Sequence, residues 1–322
     1  MKIILLGIKN NGSLHIGHLL SIIYPSINFL KNNKKYILLI LIADLHVLTY
    51  INNIDYNKKK YNNYIYKILS IFLSLEINIK KVLIYKQSDI KYILKIFWYL
   101  CNLYKFNRLK LTHIYKKYLN NINIGEFIYP ILMASDIISL NVKYIFIGKD
   151  QKQHLEISKY LIKKINIKLL NYKFNIPKSF INKKFNKVLG LDFKKMSKSN
   201  KNTINIFSNK KKIKNKIFKI KTSSKKLQNI NIKKIYIYYI YKYLFKNNKK
   251  KFLKQCKNYK YNFYKIKKNI YKKILKVYKN ERLRYFYYYK KKKLLKNILL
   301  KNKYIINKIV YKNYNIINNI FK

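Results

Sequence analysis

The sequence has only two cysteines in 322 residues, Cys101 and Cys256. Neither has a second cysteine at metal-ligand spacing, which argues against a cysteine-built structural zinc, and two distant cysteines do not make a disulfide scaffold. So sparing a use suits a reducing compartment. Long apolar runs are missing too. The longest, Tyr36–Ala43, stops at Asp44 and is too short to span a bilayer. Met1-Lys2 precedes only the short run Ile3–Leu6, which is too brief for a secretory leader. These absences predict a soluble, cytoplasmic chain with no membrane partner.

Acidic residues are scarce as well: 10 against 73 lysines and arginines, a formal net charge of +63. A charge that high ordinarily points to nucleic acid or an anionic surface. Yet the basic residues are nearly all lysine, arginine standing only at Arg108, Arg282 and Arg284. Asn, Ile, Tyr and Phe are abundant, while Gly, Pro and Ala are rare. Drift towards AT-rich codons on a solvated surface leaves that set, so the charge alone names no partner. An apolar content of 49% excludes a disordered chain, and the length suffices for one large domain or two modest ones. Against such a background the surviving Gly, Pro, His, Ser, Met and acidic residues are the informative ones.

They are unevenly placed. Every histidine, glycine and proline, and every acid except Glu281, precedes residue 193. The remainder is rich in Lys, Ile, Asn and Tyr and reads as a basic helical region, which divides the chain into 1–207 and 208–322. Continuous apolar runs predict buried parallel strands at Ile3–Leu6, Ile37–Ala43, Lys81–Tyr85 and Tyr144–Ile147. Helical stretches alternate with them: Leu19–Leu30, Lys58–Leu75, Ile90–Leu103, Ile131–Leu140 and Gln153–Lys164. The class is therefore α/β with an open parallel sheet. Such sheets bind ligands at the carboxyl ends of their strands, where Gly7, Asp44, Gln87 and Gly148 fall.

Gly7–Leu20 reads GIKNNGSLHIGHLL. Gly7 is expected to end the first strand, Asn10-Asn11-Gly12 to turn, and Ser13 to cap a helix whose first turn carries His15 and His18 on one face. A helix start attracts phosphate, and Gly17 lets a flat ring approach the backbone. A nucleotide across this helix start explains the two histidines; two surface histidines would read alike. H-x-G-H is similar to a motif that small-molecule nucleotidylyltransferases also carry, a resemblance that implies adenylate transfer rather than a particular substrate.

Lys194–Asn200 reads KKMSKSN, an order that lysine drift does not produce. HIGH upstream and KMSKS downstream form the signature pair of class I aminoacyl-tRNA synthetases. The first 200 residues resemble the bacterial-type tryptophanyl-tRNA synthetases. YPILMASDI (Tyr129–Ile137), GKDQKQHLE (Gly148–Glu156), ADLHVLT (Ala43–Thr49) and QSD (Gln87–Asp89) are each similar to that family's stretches. There are departures. Lys9-Asn10-Asn11 replaces Gln-Pro-Ser, Lys149 replaces an acid, and the lysine that the family carries near the ATP phosphates in M-T-Q-F-K is displaced, leaving Lys116 or Lys110 to replace it.

The resemblance implies a Rossmann-like parallel-sheet catalytic domain with a helical C-terminal domain. It implies activation of tryptophan with ATP, then transfer to tRNA(Trp). Lys195, Lys198 and His18 are the implied catalytic residues. The implied ATP site adds Lys9, Asn10, Asn11, Gly17, Gly148, Lys149, Asp150, Val188, Met196, Ser197 and Ser199. Mg²⁺ would arrive with ATP, held by phosphates and water and not by a protein cage. The implied tryptophan site is Asp136, Met133, Leu5, Gly7, His46, Gln151, Ile145 and Ile147. A buried carboxylate at Asp136 can accept from an indole N–H or a phenol; a helix-capping carboxylate is its plain alternative, as core packing is for Met133. Tyrosine enzymes of the subclass usually carry Gln at the Met133 position and often Tyr at the Leu5 position, so both residues favour indole. A tyrosine ligase, or a non-catalytic RNA-binding paralogue, remains the alternative. Family members are symmetric dimers, which implies a homodimer through the apolar Ile93–Leu103 and Tyr129–Leu140 region. Interleaved Tyr, Phe and Lys in 208–322 suit a helical anticodon-binding module, and drift on an ordinary helical bundle gives the same composition.

Overall fold

The computed structural model describes residues 2–49, 57–112, 123–182, 185, 188–192, 194–198, 200–220, 238, 241, 252–254 and 262–321. Five parallel strands form its sheet: β1 (Lys2–Ile8), β2 (Tyr36–Ile42), β3 (Val82–Lys86), β4 (Tyr144–Phe146) and β5 (Lys178–Phe180), in the order β3-β2-β1-β4-β5. The chain runs outward from β1 to β3, then crosses back to lay β4 on the other side of β1. That reversal is a topological switch point, and a crevice opens there between the carboxyl ends of β1 and β4.

The strands hold because they are apolar on both faces. In β1, Ile4, Leu6 and Ile8 belong to one core cluster while Ile3 and Leu5 belong to the other, as the two-residue period requires. Each fully buried Ile or Leu contributes roughly 1.5–3 kcal/mol. The short helix α1 (Ile16–His18) runs through a π-helical turn at Leu19–Ile23 into α2 (Tyr24–Asn32). Next come α3 (Leu45–Leu48), α4 (Lys58–Ser74), α5 (Ile93–Leu103), α6 (Phe106–Lys110), α7 (Ile124–Ser139) and α8 (Lys152–Lys168). After 208 the described elements are helical: α9 (Lys210–Phe218), α10 (Phe263–Val277), α11 (Lys279–Lys290) and α12 (Lys292–Asn318).

Helix α12 ties the two regions together. Leu295 and Leu299 sit in the first cluster, and Ile306, Val310 and Ile317 in the second. Midway, Asn302 Nδ2 donates to the Ile84 carbonyl at 2.9 Å, covering the edge strand β3.

The four expected strands are present, with boundaries shifted by a residue or so. Three local readings are corrected. Strand β1 does not end at Gly7, because Ile8 still pairs with Ile42. The N-cap before α1 is His15, not Ser13. Helix α7 begins at Ile124 and not Ile131, because Asn123 Oδ1 caps it by accepting from the Glu126 N–H at 2.8 Å. Strand β5 went unpredicted: three exposed residues, Lys-Ser-Phe, give no apolar run.

Candidate active site

A cleft of about 490 Å³ opens over the switch point. Of the implied nucleotide residues, Lys9, Asn11, Gly17, His18, Gly148, Lys149, Asp150, Val188, Lys195, Met196, Ser197 and Lys198 line it. So do all the implied amino-acid residues: Leu5, Gly7, His46, Met133, Asp136, Ile145, Ile147 and Gln151. Asn10 does not. At 1% exposure it is packed away beneath the turn, so its place in the nucleotide site is withdrawn. Ser199 and Lys116 lie outside the described residues. Lys110 does not line the cleft; its ammonium lies 4.6 Å from the Phe106 ring centroid.

The inner end of the cleft is built on the sheet. Asp136 is 1% exposed and stands in the last turn of α7, where the helix dipole disfavours a carboxylate. It caps no helix start, so the capping alternative fails. Its partners are side chains from the end of β3 and from the short helix α3 that follows β2. Gln87 Nε2 donates to both carboxylate oxygens at 2.9 Å, and His46 Nε2 lies 3.2 Å from Oδ2. Burial pushes the Asp136 carboxyl up from its ordinary value, against the pull of His46 and Gln87. Nearby, Tyr129 Oη stands 2.6 Å from His154 Nε2, and the Tyr129 and His46 rings meet edge to face. Leu5, Ile145, Ile147 and Met133 supply the apolar wall.

The outer end is built on loops. His15 and His18 close a reciprocal cap, with the His15 N–H 3.4 Å from His18 Nδ1 and the ring centroids 3.8 Å apart. A Cβ on Gly17 would stand 2.8 Å from His15 Nδ1, so the flat ring that approaches this glycine is that of His15. Burial, with Lys198 close by, lowers His15 to about 3. Burial, His15 and Lys198 hold His18 well below its ordinary value. Both are neutral imidazoles near pH 7 and act as hydrogen-bond partners, not as charges.

Lysines supply the charge. Lys195 Nζ stands 3.0 Å from Asp150 Oδ1, on the turn after β4. Burial alone would raise Asp150, but hydrogen bonds from Gln151 and Lys195 hold it below its ordinary value. Lys198 Nζ donates to Asn11 Oδ1 at 2.8 Å and to the Gly12 carbonyl at 3.1 Å, on the turn after β1. Burial lowers Lys198 to about 8. The two lysines thus bridge to opposite lips of the crevice. Lys9 lies 5.2 Å from the Tyr129 ring centroid between the two ends, and burial, opposed by Asp150 and Glu126, lowers it to about 8.

Sequence reasoning missed Tyr129, Asn182 and Phe185 in the lining and the grip of Gln87 on Asp136. Gln87 had a usable signal, since it is a polar residue at the end of an apolar strand. Asn182 and Phe185 had none, being the residue types that drift multiplies.

An apolar pocket with a buried acceptor, joined to a lip of cationic donors, accommodates an aromatic amino acid beside a nucleotide. The model of the class I tRNA synthetases (W and Y) matches residues 1–285. Tryptophan–tRNA ligase of Campylobacter jejuni strain RM1221 is 34% identical over 241 residues, which is 72% of this chain and 73% of the relative. Tryptophan–tRNA ligase of Fusobacterium nucleatum is 34% identical over 244 residues, 73% of each. The crystal structure of C. jejuni tryptophanyl-tRNA synthetase with ADP and tryptophan superposes with a TM-score of 0.83 at 28% identity, covering 97% of both chains. Motifs, fold and matched length agree, and the chain belongs to the class I tRNA synthetases of the tryptophan and tyrosine type.

Proposed function

We propose that this chain is a tryptophan–tRNA ligase. Tryptophan's carboxylate attacks the α-phosphorus of ATP, the bond to the β-phosphate oxygen breaks, and pyrophosphate leaves. The terminal adenosine hydroxyl of tRNA(Trp) then takes the aminoacyl group and AMP departs. Phosphoryl transfer asks the protein mainly for positioning and charge stabilisation. Asp136, oriented by His46 and Gln87, accepts the indole N–H. Lys195 and Lys198 meet the charge that develops on pyrophosphate, and neutral His18 donates to a phosphate oxygen. Gly17, Gly148, Asp150 and Val188 seat the adenosine. Among the described residues no group of three His, Cys, Asp or Glu gathers to hold a metal ion, and the Asp150 carboxylate is already paired with Lys195. Mg²⁺ would come as a companion of ATP, held by phosphates and water.

The observation that carries this reading is one crevice with a buried, oriented carboxylate at its apolar end and both KMSKS lysines at the other. Leu5 and Met133 in the wall favour indole over phenol, and the two relatives matched above are tryptophan enzymes.

Partners follow from the surface. Helix α7 buries Tyr129–Leu132 and Ala134–Ser139 inside the chain's own core, and Met133 faces the cleft, so that half of the expected dimer patch is unavailable. Helix α5 leaves Leu94 and Trp98 exposed, Trp98 at 66%, and a homodimer would use that face. In the C-terminal helices Tyr287 and Tyr304 are exposed with lysine ammoniums 4.2 and 4.4 Å from their ring centroids. Those pairs suit stacking and phosphate contact, and 208–322 is proposed as the tRNA-anticodon module, with 1–207 catalytic. Among the described residues no helix is long and apolar enough to cross a membrane, and the proposed site of action is the cytoplasm. Amino-acid-dependent pyrophosphate exchange tests the reading. Tryptophan should drive exchange and tyrosine should not; exchange driven by tyrosine would replace the tryptophan assignment.

A further inference from the structure

The backbone around Lys195 converges on one side chain outside the cleft. Asn202 is 3% exposed and does not line the cleft. Its Oδ1 accepts from the Ser197 N–H at 2.8 Å. Its Nδ2 donates to Asp192 Oδ1 at 2.7 Å and to the Lys195 carbonyl at 3.2 Å. Its own carbonyl accepts from the Leu191 N–H at 2.9 Å. The amide thus uses both hydrogens and one acceptor position on three residues. Gly190 makes room for it: a Cβ there would fall 2.2 Å from Asn202 Cγ and Nδ2. The Asn202 amide also holds the Asp192 carboxyl below its ordinary value.

These bonds act on the backbone from which the two signature lysines start. Lys195 and Leu189 pair across an isolated antiparallel bridge, and the Met196 N–H donates to the Val188 carbonyl at 2.8 Å. The bridge fixes one side of the loop; Asn202 fixes the other. A lysine tail is a flexible point charge, so its aim depends on where its Cα is held. Stabilising charge in a transition state works best when the donors are already in place.

We propose that Asn202 is the positioning residue of the KMSKS loop, holding the Lys195 and Ser197 backbone where Lys195 and Lys198 meet the departing pyrophosphate. It touches no substrate and acts only through the lysines. The proposal rests on the ligase reading above.

The test is pyrophosphate exchange on the full chain, with rates per active site counted by the burst of tryptophanyl-adenylate. Asn202→Asp keeps an acceptor for Ser197 but loses both donations and sets two carboxylates together. Its kcat should fall about tenfold to a hundredfold, the cost of ångström-scale misplacement, while the KM for tryptophan stays within twofold. The exchange Asp192→Asn with Asn202→Asp restores a donor–acceptor pair and should recover most of the rate. If Asn202→Asp does not fold, Asn202→Ala carries the same kcat-against-KM reading. Variants that keep kcat per site within twofold, or a double variant as slow as the single, overturn the role. Wild-type exchange is measured first: without tryptophan-driven exchange the ligase reading fails and takes this one with it, whereas wild-type activity with unaffected variants removes Asn202 alone.

Discussion

The two ends of the cleft are built differently. At the amino-acid end Asp136 sits on a buried helix, gripped by His46 from α3, just after β2, and by Gln87 from the end of β3, so that both of its oxygens have protein partners. At the nucleotide end the lysines reach out from a loop to opposite lips, Lys195 through one contact to Asp150 and Lys198 through two, to Asn11 and the Gly12 carbonyl, with Lys195 and Asp150 both about half exposed. A rigid acceptor discriminates because a ligand that leaves it unpaired loses a hydrogen bond that cannot be replaced. A loop charge can follow a phosphate as it leaves. On the proposed reading, recognition belongs to the scaffold and rate to the loop.

That division is broken most directly by the largest expected effect. Lys198→Ala should lower kcat for tryptophan-dependent exchange by about 10²–10³, the cost of removing one preorganised donor from a developing charge. The KM for tryptophan should hold within about twofold, because an interaction made only in the transition state leaves ground-state binding alone. Lys195→Ala should behave likewise. A raised KM with kcat intact would mean that the loop end also binds the amino acid, and the two ends would not be separable.

The converse substitution is smaller. Asp136→Ala should cost about 1–3 kcal/mol in kcat/KM for tryptophan, the value of a hydrogen bond to a charged acceptor. Asp136→Asn, which keeps one acceptor oxygen, should cost less. The KM for ATP should stay put. The comparison sharpens if the ratio of tryptophan to tyrosine in exchange falls with the same substitution. If Asp136→Ala lowers the melting temperature and leaves that ratio at its wild-type value, the buried carboxylate serves only the fold.

The same contrast explains what the sequence disclosed. Apolar runs ending in Gly7, Asp44 and Gln87 placed β1 to β3 and their working ends, because a buried strand has no tolerance for polar drift. HIGH and KMSKS stood out for a related reason: AT-driven substitution does not make Gly, His, Met and Ser in that order. Asn202 was invisible. It is one asparagine in Lys201-Asn202-Thr203, amid a surplus of the same residue, and only the fold reveals that it is buried with both amide hydrogens and one acceptor position bonded. Asn10 failed in the opposite sense, since its neighbours face the cleft and a turn sequence does not say which of two asparagines points inward. The reach of α12 over both core clusters was equally hidden, because no local pattern encodes which distant edge strand an asparagine will cover.

The smallest expected effect is a pH dependence, and it tests whether the loop end works by charge. Burial lowers Lys198 to about 8. A lowered lysine is an ammonium below that value and a neutral amine above it. If its charge is what counts, kcat/KM for ATP at saturating tryptophan should fall as pH rises through about 8, by about tenfold between pH 7 and 9. The profile of kcat should fall later, because bound phosphates favour the ammonium and shift the limb upward. His15 and His18 are held neutral by burial and contribute no limb of their own near pH 6.5. Lys9 is the competing source, since burial lowers it to about 8 as well. Two variants separate them. Lys198→Arg cannot deprotonate in this range; it should be slower, because a planar fork does not fit a point-charge tether, and its profile should be flat to pH 9. Lys9→Met should keep the limb. A limb that survives Lys198→Arg and vanishes in Lys9→Met would move the working charge from the loop to β1's own extension, and the nucleotide end would then be scaffold-built like the other.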